Sequence, residues 1–156
     1  MHQLTTTALL SVLILLSGAM KLPSPFPGGE FQLSAPIAVL ICACFGFKRY
    51  ITAGIIASIL GLLLGTANIF NVLIAMVFRL VAGGSMALLG PSIPVIMVSG
   101  PLGTIAARLV LAQVTGISWL VLATAAIPGM IFTAIAAAAM YKPAVKLLHK
   151  LPAYQD

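Results

Sequence analysis

Two arginines lie inside apolar stretches of this chain, and no acidic side chain in those stretches can pair with them. Arg79 stands in the middle of NIFNVLIAMVFRLVAGGSMA, residues 68–87, and Arg108 stands in PLGTIAARLVLAQV. A guanidinium at membrane depth costs at least ~2.5 kcal/mol on insertion scales, so it must face protein, water or a ligand and not lipid. Its planar fork of donors suits bidentate recognition of a carboxylate or phosphate. At helical spacing Asn71, Ala75, Arg79 and Ala82–Gly83 share one face; Thr104, Arg108 and Ala112 share another, with Gln113 beside them. Two readings stand for each arginine. Its head either reaches the headgroups or caps carbonyls, or one of the two, Arg108 before Arg79, meets the carboxylate or phosphate of a ligand. Glu30, Phe31 and Gln32, together with Asn68 and Asn71, would line the outer mouth of such a pocket, beside a hinged loop.

Other chemistry is sparse. The acids are Glu30 and Asp156 alone, and the histidines, His2 and His149, lie at opposite ends of the chain. There is no GxxxxGK[ST] loop, HExxH, CxxC or nucleophile elbow, so neither ATP hydrolysis by a P-loop nor paired-carboxylate catalysis is expected. The N-terminal Met-His could offer nitrogen ligands to a transition metal, but the residues after it supply no third side-chain ligand. Cys42 and Cys44, two apart in apolar ICACF, point to different helix faces and read as buried free thiols. No enzyme, cofactor or metal site is expected.

The elements that must position these residues follow from composition. Of 156 residues, 62% are hydrophobic and 6% charged, where a soluble domain carries roughly a quarter charged residues. The mean hydropathy is +1.20. Such a chain lacks the polar side chains to cover itself in water. It reads as an all-α integral membrane protein, a single transmembrane domain over 1–156 in one compact bundle. The net charge of +6 speaks to topology in a bilayer and not to nucleic acid.

Six spans are expected, at about 4–20, 33–47, 51–65, 69–88, 94–114 and 117–141. The first lacks the basic start and small-residue cleavage site of a signal peptide and reads as a retained span. The outer loop 21–32, KLPSPFPGGEFQ, is stiff in its proline half and hinged at Gly28–Gly29. Ser34 is the expected N-cap of the second span, with Pro36 in its first turn. Gly54-x-x-x-Ser58 and Gly61-x-x-x-Gly65 form a small-residue ridge suited to close helix packing. Gly100-Pro101 and Pro128-Gly129 should bend the fifth and sixth spans. With six spans, Lys48, Arg49 and the basic tail 142–156, which carries Lys142, Lys146 and Lys150, share one side, against Lys21 on the other. The positive-inside rule then puts both termini in the cytoplasm.

This arrangement resembles the substrate-binding S components of energy-coupling-factor vitamin transporters. The features that carry the resemblance are LTTTALLSVLILLSG, the loop KLPSPFPGGEFQLS, the turn GFKRY before ITAGIIASILGLLLGT, and the TANIFNVL entry to the fourth span. The GTANIFNVLIAM region is also similar to tryptophan-transporter-type members. Where the family often has Ala-x-x-x-Ala on the first span, for docking the coupling subunit, this chain has Thr7/Ser11 and Ala8/Val12, and Val12 departs from the pattern.

The resemblance implies high-affinity capture of a small organic solute (a vitamin, cofactor precursor or amino acid) from outside a bacterial or archaeal cell membrane. Loop one would close over the solute. A transmembrane coupling subunit and two ATPase subunits would supply the energy, and this chain recognition alone. The other reading is a small structural or assembly subunit of a membrane complex, whose polar residues only pack helices. The apolar walls and unpaired arginines favour a modest, partly apolar solute with an anionic group.

Overall fold

The computed structural model describes the backbone over residues 2–23 and 30–150, and side chains over 3–18, 20 and 33–150. Six helices and two short strands follow in the order α1 His2–Ala19, β1 Lys21–Pro23, β2 Glu30–Gln32, α2 Ser34–Phe45, α3 Phe47–Leu63, α4 Ile69–Leu89, α5 Ile93–Thr115 and α6 Trp119–Leu148. The helices fall where the apolar runs put them. The strands pair antiparallel, with Lys21 opposite Gln32 and Pro23 opposite Glu30, and β2 lies against α6. The proline half of the first loop, 24–29, lies outside the described residues.

One expectation at the helix ends is corrected. Leu33, not Ser34, occupies the N-cap of α2; Ser34 already has helical geometry, and no side chain caps the end. The first part of the basic tail is helical, since α6 runs on through Pro143 to Leu148. Each proline removes one backbone donor, and the surrounding turns still carry α5 through Pro101 and α6 through Pro128.

The helix α2 is short, apolar and central. It packs against α1, α3, α4, α5 and α6, and its Val39, Ile41 and Cys42 are almost fully buried. One residue, Gly46, connects it to α3 with φ +82°, a left-handed conformation that an L side chain rarely adopts. Successive long helices then run antiparallel. Tyr50 and Gly54 of α3 meet Gly83 and Arg79 of α4; Gly103 of α5 meets Phe78 and Ala82; Gly100 of α5 meets Thr133 of α6.

The inner faces are built from small residues and a few large ones: Ala53, Ala57, Ala82, Ala107 and Ala137 alongside Tyr50 and Ile96. The outer faces carry Leu80, Ile131 and Ile135, each more than half exposed. A polar-in-part interior under an apolar exterior is the reverse of a water-soluble bundle. The helices α4, α5 and α6 are each long and apolar enough to cross a membrane, while α1 and α2 are shorter apolar helices.

Adjacent glycines on α4 separate packing from propensity. A Cβ on Gly83 would stand 2.7 Å from Phe47 Cδ2 and 3.3 Å from Tyr50 Cδ1, whereas one on Gly84 would meet nothing within 4 Å. Gly84→Ala should be neutral or stabilising by up to ~1 kcal/mol. Gly83→Ala should destabilise by ~1–3 kcal/mol through overpacking. Unfolding of both variants in the same detergent checks the contrast.

Candidate functional site

The α3–α4 seam is where polar side chains enter the interior. Arg79 lies midway along α4, about 15 Å from either end at 1.5 Å per residue. It is 7% exposed. Helical side chains tilt toward the N-terminus of their own helix, so the guanidinium leans toward the C-terminal half of antiparallel α3. There its Nη1 donates to Ser58 Oγ at 2.8 Å and to Met76 Sδ at 3.5 Å.

Room for the guanidinium comes from Gly54. A Cβ at that position would stand 2.6 Å from both Cδ and Nε of Arg79 and 3.0 Å from Cζ. One turn earlier, Tyr50 is wholly buried. Its phenol lies close beside the Arg79 guanidinium, and no group among the described residues stands in good hydrogen-bond geometry to its Oη. Tyr50, Gly54 and Ser58, each four residues apart, therefore make the α3 side of a close-packed seam whose α4 side carries Arg79 and Gly83. The Cys42 thiol faces the Gly83 carbonyl at 4.0 Å behind it.

Both acids of the chain, Glu30 and Asp156, have side chains outside the described set. Within that set the guanidinium is held by neutral groups alone. A charge so placed is only partly compensated, because neutral hydrogen bonds recover part of the hydration it has lost.

The remaining candidate residues fall elsewhere. Phe78 and Ala82 turn to α5 while Arg79 turns to α3, so the two arginines do not share a face. Arg108 is half-buried, off the stripe of Ile96, Ser99, Gly103 and Ala107, and takes no hydrogen bond among the described residues. Thr104 is half-buried and donates to the Gly100 carbonyl at 3.0 Å. Gln113 is exposed near the end of α5.

Asn68 caps α4: its Oδ1 accepts from the Asn71 backbone N–H at 2.8 Å, and both residues are exposed. They stand about 15 Å along the helix from Arg79. Glu30, Phe31 and Gln32 form β2, and their side chains lie outside the described residues. An apolar groove of ≈ 260 Å³ between α5 and α6, lined by Ile105, Trp119 and Ile127 among others, offers no charge.

Tyr50, Gly54 and Ser58 were not singled out together as a site. Their four-residue spacing was a legible signal, since Gly54-x-x-x-Ser58 stands out as a packing ridge. Nothing in the sequence says that Arg79 packs against it.

Removing either partner of the buried pair should give opposite results. Ser58→Ala leaves a buried cation short of an acceptor and should destabilise by ~1–3 kcal/mol. Arg79→Met, which replaces the charge by an apolar chain of similar length, should be neutral or stabilising in the empty protein. Reversible unfolding in mild detergent, run on both variants, measures the difference.

No family model matches the chain, and no solved structure matches it. Its sequence is similar to Protein BioX of Lysinibacillus sphaericus, at 51% identity over 150 residues, covering 96% of this chain and 88% of that protein. The name of that relative gives no support to the tryptophan-transporter likeness of the GTANIFNVLIAM region. At this identity and coverage, the chain belongs to the BioX family.

Proposed function

We propose that this protein is a membrane-embedded, solute-binding subunit for uptake of a small organic anion, and that the anion is a biotin-related compound. The observation that carries the reading is Arg79, a guanidinium buried midway along an apolar helix with only neutral partners among the described residues. A bound carboxylate neutralises it, and the solute is then recognised by the relief of a cost already present in the empty protein. The designation of the relative, BioX, directs the choice of solute.

In this reading six spans cross the cell membrane of a bacterium or archaeon, with both termini in the cytoplasm. The hairpin of β1 and β2 then stands at the outer mouth. Lys48 and Arg49 at the start of α3, and Lys142 and Lys146 at the end of α6, fall on the cytoplasmic side. The chain carries no P-loop, so energy comes from separate coupling and ATPase subunits of the energy-coupling-factor kind.

A purely structural subunit is the competing reading, and the Arg79–Ser58 hydrogen bond favours it to the extent that it ties α3 to α4. Ligand binding separates the two. Biotin at 100 times its dissociation constant should stabilise the purified protein by about 2.7 kcal/mol, a shift visible in a melting curve. Arg79→Met should weaken that binding roughly 10- to 100-fold, the range for hydrogen bonds to a charged group. Arg108→Ala should weaken it less. No shift with biotin or any related carboxylate in the wild-type protein would leave the structural reading in place.

A further inference from the structure

The hydroxyl of Tyr50 has no role in the packing described above. The residue is 0% exposed, its ring is seated against Gly83, and its Oη is a buried polar atom without a partner. The ring would fill the same space without the oxygen. A buried hydroxyl left unpaired destabilises the fold, and native structures rarely keep one without a use. Beside it, Nη1 of Arg79 is occupied by Ser58 and Met76, while Nε and Nη2 have no hydrogen-bond acceptor among the described residues. The Tyr50 hydroxyl and the guanidinium thus lie beside one another in the α3–α4 seam, where Gly54 leaves room for the arginine side chain, and Arg79 has donors to spare.

Two groups of donors with no acceptor between them describe a receptor for an anion. We infer that Tyr50 and Arg79 together bind a single carboxylate, the guanidinium edge holding one or both oxygens and the Tyr50 hydroxyl donating to one of them. This rests on the proposed uptake function and adds a specificity-determining residue, on α3, together with a substrate class. The site supplies one positive charge, so it matches a monocarboxylate; a second negative charge at this depth would itself be left uncompensated. Arg79 lies about 15 Å from either end of α4, so the carboxylate must be carried on an apolar tail long enough to descend between the helices. A compact, strongly hydrated anion lacks that tail.

Thermal shift and equilibrium binding on the full-length protein in detergent test this with two probes. The first is biotin against biotinamide, which differ only in the charge at the end of the tail. The second is sodium acetate against sodium chloride at equal ionic strength. The variants are Tyr50→Phe and, as a control for general loosening, Gly84→Ala. Without ligand, Tyr50→Phe should melt at the wild-type temperature or above, because it removes only an unpaired oxygen.

The expected result is that biotin but not biotinamide stabilises the wild-type protein, and that Tyr50→Phe weakens biotin at least tenfold while Gly84→Ala does not. If biotin binds wild type and Tyr50→Phe equally well, the receptor is overturned and the uptake function stands. If biotin has no effect but acetate stabilises wild type and not Tyr50→Phe, the pairing of Tyr50 with Arg79 on a carboxylate stands, and both the need for an apolar tail and the choice of solute are overturned. If neither probe distinguishes wild type from Tyr50→Phe, the seam takes no carboxylate and the inference is overturned.

Discussion

A positive charge midway along an apolar helix must be held by something, and the arrangement around Arg79 is the consequence. The guanidinium lies too far from either end of α4 to reach water along its own helix. It turns sideways into α3, and that turn dictates what α3 can be at three successive levels. Ser58 must accept a hydrogen bond, Gly54 must leave space for the stem, and Tyr50 must stack where the seam closes on Gly83. The close approach of α3 and α4 follows from these small residues. The central position of α2 depends on it in turn, since Cys42 of α2 packs behind Gly83.

The same seam explains why a neutral protein of this shape would be easier to fold. An apolar side chain in place of Arg79 would need no Ser58 and no Gly54. Buried charges in low-dielectric surroundings are poor sources of stability, and one held by neutral groups is poorer than an ion pair. Under the proposed uptake function, the position is a cost tolerated for recognition. Interior charges in membrane helices mark pathways and binding sites for the same reason.

Much of this was legible in the sequence, for uneven reasons. The helices could be placed because long apolar runs interrupted by Gly46, Gly65, Gly90 and Gly116 leave few alternatives. Arg79 stood out because charge in an apolar run is rare. Its sideways turn into α3 was not legible. Ridges of small residues occur on α1, α3, α4 and α5 alike, and only the packed bundle selects which two meet. For the same reason the sequence favours Arg108 over Arg79 as the ligand-binding arginine, yet Arg108 lies off the buried stripe of α5. Asn68 resembled a pocket residue because its capping partner, the Asn71 N–H, is a backbone group that composition cannot reveal. The helical continuation of α6 through Leu148 matches the spacing of Val145 and Leu148, which the sequence shows.

The central claim is that the buried guanidinium of Arg79 receives the carboxylate of the solute. The most direct measurement is the ¹⁵N NMR spectrum of the arginine side chains in lipid bilayers, assigned through Arg79→Lys, recorded with and without biotin. The account predicts that the Arg79 Nε and Nη resonances move on adding biotin and stay still with biotinamide, while those of Arg49 and Arg108 hardly change. Arg79 resonances that stay fixed while biotin is bound would contradict it.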